Sequence, residues 1–394
     1  MSSRVLVDDP IPGTATRQDR FPAVDSLRAV GALAVVLTHV AFQTGQYPRG
    51  LVGALFSRLD VGVALFFVVS GFLLSIGFLR PLVEGRPTPG LGAYALKRVL
   101  RIWPVFVVTL VVVHLTIARD PGLGSWVRSL TMTTLYTPDY FTDGLTQMWS
   151  LETEVAFYVV LPLLLLPVAR LARRRVLRGT LALSAALVVV TIVWVAVASG
   201  RVDDHRPFAH LWLLSYLDWF AAGIALAVAW VARSRGARHR ALDLLDLAGS
   251  LPGVCWTLAF SCLLVASTPL AGPLDLTPST SATTAVVKNL LYLAVGVLLV
   301  VPAVFGPETP YRRVLEHRVL RYLGQISYSV FCIHLVLLHA ALSLTSTEIF
   351  TGRFWLVAPV TLALTLVAAI ALHHLVERPA IRLAARLTRP RSAA

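Results

Sequence analysis

VDSLRAVGALAVVLTHV, residues 24–40, is apolar around the whole of a helix except for Asp25, Arg28 and His39 and a few small hydroxyls. A surface helix of a soluble protein keeps one polar face, whereas a helix apolar on all sides lies in a core or in lipid. The rest of the chain decides for lipid. Of its 394 residues 56% are hydrophobic and 14% charged, and the mean hydropathy is +0.73. A water-soluble enzyme is excluded. A disordered chain is excluded too, apart from a polar start over 1–20, because so apolar a sequence buries enough surface to offset its ordering entropy.

About 20 apolar residues cross a hydrocarbon core. Ten runs of that kind follow one another at 26–46, 61–79, 102–118, 150–169, 179–200, 209–232, 247–270, 287–305, 322–345 and 354–376. The expectation is an all-α membrane protein, a single bundle of about ten transmembrane helices. The first run is long enough to span, and no cleavable signal is evident before it. Cytoplasmic loops carry an excess of Lys and Arg, and one of the two possible assignments puts 26 of the 35 basic residues on that side against 8 on the other. Both termini are therefore expected in the cytoplasm, in a multi-pass protein of the bacterial cytoplasmic membrane. The net charge of +14 is spread over short clusters between spans, so the partner it implies is the lipid bilayer, not nucleic acid. No internal repeat divides the chain, and the expected organisation is a disordered tail (1–20), one transmembrane domain (21–383) and a basic tail (384–394). Polar segments at about 119–148 and 200–208 are long enough to shape an opening. Cys255, Cys262 and Cys332 all sit in apolar runs, where a thiol behaves as a small hydrophobe, so neither a disulfide framework nor a metal site is expected.

Ionisable groups inside spans are costly and are functional candidates by default. Arg28 and His39 are 11 residues apart, which puts them about 20° apart around a helix and about 16 Å apart along it. They share one face. Asp25 can cap the start of that helix. Arg28 could be only an anchor reaching for the interface, and His39 only a satisfied core histidine. Arg98 and Arg101, at i and i+3 before the third span, could grip a phosphate through planar, charge-assisted forks, or simply anchor a basic loop.

WSLETEVAFY, residues 149–158, opens the fourth span. Counting depth from the outer interface brings Glu154 level with His39, where it could orient or charge the imidazole. Its alternative is an interfacial glutamate facing water, and Trp149 and Tyr158 could be interface aromatics. Ser70, beside Gly71 in FFVVSGFLL, reads more readily as a small residue for close helix packing than as a nucleophile. Asp218 and His334, each within a span, need partners and could line a cavity.

In order and spacing these pieces resemble the acyltransferase-3 family of membrane acyltransferases. The resemblance runs from about Phe21 to Arg382 through VDSLRAVGALAVVLTHV, VGVALFFVVSGFLLS, KRVLRIWP, WSLETEVAFY, GQISYSVFCIHLVLL and VERP. It departs at Ser26, where a glycine is common, and in the pair Phe331 and Cys332, which stand where an aromatic followed by a leucine is usual. The resemblance implies that His39 is the catalytic histidine, that Arg28, Arg98 and Arg101 contact an acyl-CoA donor, and that Glu154 belongs to the active site. It also implies an acceptor that is a glycan or a glycosylated small molecule. Arginines would hold the phosphates at the cytoplasmic mouth, the pantetheine arm would run along the first helix, and His39 would deprotonate the acceptor hydroxyl. A covalent acyl-His39 or acyl-Ser70 route stays open, as do two other classes: a transporter, and a non-catalytic component of a glycan-export assembly.

Overall fold

The computed structural model describes residues 21–118, 122–172, 175–198, 208–274 and 281–389. The tail over 1–20, the end of the basic tail (390–394) and most of the segment 200–208 lie outside them. Within them no strand occurs, and the chain forms a bundle of helices.

The first helix, α1 (Pro22–Gln43), starts on Pro22 at its first turn, where the missing N–H costs nothing. A short α2 (Gly50–Ser57) leads into α3 (Val61–Val83), and then come α4 (Leu91–Thr116) and the amphipathic α5 (Gly122–Thr131). Next are α6 (Met148–Ala172), α7 (Val176–Ala198), α8 (Leu217–Ser234), α9 (Arg240–Ser250), α10 (Pro252–Ala266) and α11 (Ala282–Phe305). The last are α12 (Pro310–Leu315), α13 (Arg318–Gln325), α14 (Ser327–Leu344), α15 (Phe354–Leu372) and α16 (Arg378–Leu387). A π-helical turn over His373–Glu377 joins α15 to α16, and the helix continues past residue 383 to Leu387.

Among the described residues nine helices are long and apolar enough to cross a membrane. The seventh expected span, 247–270, is not a straight helix. It is the pair α9 and α10, bent by 89°, and only if that pair counts as one span does the number reach ten. The bend has a local cause: Leu251 precedes Pro252, whose ring disfavours a helical residue before it, and Leu251 sits at φ −115°, ψ 57°.

At the centre lies α3, the most buried of the spans. Its contact with α8 depends on missing side chains. A Cβ at Gly71 would stand 2.2 Å from the Phe220 carbonyl oxygen, and one at Gly223 would stand 2.1 Å from that of Val68. Small residues let backbones approach where no hydrophobic drive separates helix from lipid. Phe67, Phe157 and Phe220 then stack across α3, α6 and α8, with ring centroids 4.4 Å and 3.9 Å apart.

One feature of α6 governs the site. Gln147, just before it, donates from Nε2 to the Cys332 carbonyl oxygen at 3.0 Å, two residues from His334 on α14. The chain ahead of it folds inward. A 3₁₀ turn over Thr134–Tyr136 is held by the Leu135 N–H donating to Glu152 Oε2 at 2.8 Å, and Trp212 Nε1 donates to the Leu135 carbonyl at 3.0 Å. The α6 helix therefore begins level with Cys332 and His334 on α14.

Candidate active site

Helix α1 is unbroken from Pro22 to Gln43, so Arg28 and His39 stand about 16 Å apart along one helix. Two polar constructions occupy its two ends.

At the Arg28 end a cavity of about 280 Å³ opens between α1, α3, α4, α6 and α14. Arg28, Arg98 and Arg101 line it against the carboxylates of Asp25 and Glu154. Positive charge is in excess, and the guanidinium of Arg28 feels that of Arg101 as well as both carboxylates. Such a lining favours an anion. Arg98 lies over the rings of Tyr94 and Tyr158, 6.0 Å and 5.7 Å from their centroids, and its Nε is buried with no hydrogen-bond partner among the described residues. The buried hydroxyl of Ser327, also lining the cavity, has none either. Unpartnered buried donors around a cavity are groups that a ligand would satisfy.

Glu154 belongs to this end. Its Oε1 accepts from the Ser70 hydroxyl and, at 2.8 Å, from the Tyr158 hydroxyl. The expected meeting of Glu154 with His39 does not occur, and the start of α6 explains why. With Gln147 already level with the His334 region, Glu154 lies seven residues, about 10 Å, farther along towards the arginines. Ser70 is accordingly more than a packing residue, because it donates to this carboxylate. Tyr158 is likewise more than an interface aromatic. Its carbonyl accepts from the Tyr94 hydroxyl at 3.0 Å, which ties α4 to α6 behind the cavity.

At the other end His39 meets His334. The His39 Nδ1 is 2.7 Å from the Val35 carbonyl oxygen and 3.3 Å from His334 Nε2, and His334 Nδ1 is 2.8 Å from the Phe331 carbonyl oxygen. A carbonyl only accepts, so each Nδ1 carries a hydrogen. In the neutral pair His334 Nε2 then accepts from His39, and the lone pair of His39 sits on Nε2. That nitrogen has no hydrogen bond among the described residues, and His39 as a residue is half-buried while His334 has no accessible surface. The end of α1 is fixed by Tyr47, whose hydroxyl is 2.7 Å from Thr38 Oγ1 and donates to the Thr38 carbonyl at 3.1 Å. Burial pushes the Tyr47 phenol up, which keeps it a donor.

Phe331 and Ser150 line the cavity but His39 does not, and the Phe331 ring centroid is 6.1 Å from that of His334. Phe331 stands at the boundary.

Two sequence candidates lie off the cavity. Asp218 is fully buried on α8, beside the Asn289 side chain and the backbone of Trp219, and is not among the residues that line the cavity. Trp149 packs against Tyr216 at 5.5 Å. Conversely, Glu377, which the sequence marks only as part of VERP, is held in the bundle. It is 1% exposed, accepts from Ser329 at 2.8 Å and faces His373 Nδ1 at 3.0 Å, and its charge acts on that of Arg101. Its signal was a glutamate beside an apolar span. Among the described residues no group of three or more His, Cys, Asp or Glu could hold a metal ion.

Comparison with known proteins bears on the reaction class. The chain is similar to the acyltransferase MdmB of Streptomyces mycarofaciens, 25% identical over 93% of both chains. It is 23% identical to the peptidoglycan O-acetyltransferase OatA of Listeria monocytogenes, over 81% of this chain and 50% of that longer protein. Against nodulation protein 10 of Rhizobium leguminosarum it is 24% identical over 82% of each. No solved structure matches at a significant level. The model of the acyltransferase-3 family, described as an acyltransferase domain, matches residues 21–374 and so takes in both ends of the site. This multi-pass membrane chain therefore belongs to the acyltransferase-3 family.

Proposed function

We propose that the chain is an acyl-CoA-dependent O-acyltransferase, moving an acetyl group from CoA at the arginine-rich, cytoplasmic mouth to a hydroxyl of a carbohydrate or glycosylated acceptor arriving from the opposite side. The observation that carries this reading is the division of labour along α1: an anion-favouring cavity at Arg28 and, about 16 Å away, an imidazole whose Nε2 lone pair is unengaged. The pantetheine arm of CoA, judged from its bonds, is of comparable length. MdmB, named an acyltransferase, and OatA, named a peptidoglycan O-acetyltransferase, support the acyl group and the kind of acceptor.

The arginines hold the phosphates, and Glu154, steadied by Ser70 and Tyr158, balances their charge. The thioester lies at the far end of the cavity, by Phe331. His39 Nε2 takes the proton of the acceptor hydroxyl as its oxygen attacks the thioester carbonyl. The carbon–sulfur bond breaks, the proton passes to the departing thiolate, and the products are an ester and free CoA.

The test is reconstitution of the purified chain in vesicles with labelled acetyl-CoA. The expected result is labelled ester in a surface-glycan or glycoside fraction, dependent on CoA thioester and on this chain alone. No labelled protein is expected when acceptor is omitted. Label trapped on His39 or Ser70 would replace direct attack by a two-step route, and no ester from any fraction would end the proposal.

Phe331 is also expected to limit the acyl group. Phe331→Ala lengthens the acyl end of the cavity and should raise the ratio of butanoyl to acetyl transfer by about tenfold or more. Since Phe→Ala in a packed site costs about 3–5 kcal/mol, Phe331→Leu should show the same trend in a sounder fold. Unchanged donor preference in both variants would place the acyl group elsewhere.

A further inference from the structure

On the face opposite the arginines, the first residue before α3 carries an acid that the donor chemistry leaves unused. Asp60 occupies the N-cap position of α3, yet its side chain makes no capping bond. Instead α11 holds it from across the bundle: Tyr292 donates to Oδ1, and Lys288 Nζ lies 3.1 Å from Oδ2. Asp60 and Lys288 remain 35% and 33% exposed. A partly exposed ion pair contributes little to stability. Stability is therefore a weak reason for placing it there.

Its surroundings supply a better one. The carboxylate is within electrostatic reach of both His39 and Tyr216. Aromatic rings form an arc beside it, from Trp149 to Tyr216 at 5.5 Å, to Trp219 at 4.7 Å and to Tyr292 at 6.1 Å, and Tyr292 closes the arc on Asp60. Trp219 and Tyr292 are buried, whereas Trp149, Tyr216 and His39 keep accessible surface.

We infer that Asp60, Lys288, Tyr216 and Trp149 form the acceptor subsite, a recess that binds an uncharged pyranose ring and presents one of its hydroxyls to His39. A carboxylate and an ammonium side by side can accept from and donate to neighbouring hydroxyls of one sugar. Amphipathic aromatic rings offer apolar faces to the C–H surface of the ring and stay compatible with its polar edge. The ion pair is neutral as a unit, and the neighbouring Arg58 guanidinium, which also acts on Tyr292, is engaged by the carbonyl oxygens of Ala266, Gly272 and Pro273, whereas Arg98 in the opposite cavity keeps an unpartnered Nε among the described residues. The inference rests on the transferase reading for the hydroxyl's fate, but the binding step stands apart from it.

The experiment uses the full chain in lipid nanodiscs with two probes. Saturation-transfer NMR with a mixture of methyl gluco-, galacto-, manno- and rhamnopyranosides reports the recess, and thermal stabilisation by CoA reports the arginine cavity. The wild-type chain is expected to transfer saturation to pyranoside ring protons. Asp60→Asn and Tyr216→Ala are each expected to weaken that binding about tenfold, the loss of one hydrogen bond to a charged group or of one stacking face. Stabilisation by CoA should be unchanged in both, which also shows that they fold. Wild-type chain that binds no pyranoside, or variants that bind as wild type does, would overturn the inference. Failure of CoA to stabilise any of them would instead count against the donor assignment.

Discussion

Replacing His39 by alanine removes acyl transfer, by about 10²–10⁴-fold, while the protein inserts into the membrane and binds CoA as before. The size of the effect follows from the ring's hydrogen bonds. Nδ1–H is committed to the Val35 carbonyl and to His334, so only Nε2 can take the acceptor proton. No other unengaged imidazole stands on that face of α1, whose sole histidine is His39. His39→Gln keeps a polar side chain of similar reach but no basic nitrogen, and it should be equally inactive. His334→Gln should lose less, because the Val35 carbonyl alone still holds the proton on His39 Nδ1. Transfer assays on reconstituted protein with matched insertion decide the matter: activity retained in His39→Ala would end the general-base assignment.

The second large effect belongs to the arginines. Arg98→Ala and Arg101→Ala should each raise KM for acetyl-CoA by about tenfold to a hundredfold, the value of one or two charge-assisted hydrogen bonds to phosphate. The turnover number at saturating donor should change little, since neither group reaches the reacting atoms. Arg98→Lys should recover only part of the loss, because an ammonium offers no planar fork and forfeits stacking over Tyr94 and Tyr158. A truncated donor separates phosphate binding from structural damage. With S-acetyl-N-acetylcysteamine, which has no phosphate, wild type and arginine variants should perform alike. A defect that persists with the truncated donor would mean that these arginines support the fold and not the nucleotide.

Much of this geometry was legible in one dimension, and the parts that were not share a cause. The 11-residue spacing of Arg28 and His39 sets their common face, because both sit on one uninterrupted helix whose rise and twist are constants. The arginine pair on α4 needed only the i, i+3 rule. The depth of Glu154 was not legible, since counting from an assumed interface cannot reveal that the turn at 134–136 packs on Glu152 and that Gln147 starts α6 at the level of Cys332. The partner of His39 was equally hidden. His334 lies 295 residues away, and nothing local in either segment marks the other.

By itself, then, the order of residues determined what a helix in lipid determines: apolar runs of spanning length, the polar exceptions within them and the face each exception shares. Those properties follow from local backbone geometry and from the cost of polar groups in hydrocarbon. Which exceptions meet was decided by tertiary structure alone. The sorting into Glu154 with Ser70 and Tyr158, His39 with His334, and Asp60 with Lys288 and Tyr292 depends on how deep each helix sits and which backbones approach closely at Gly71 and Gly223. Both are properties of packing between segments far apart in the chain, and no periodicity within a segment encodes them.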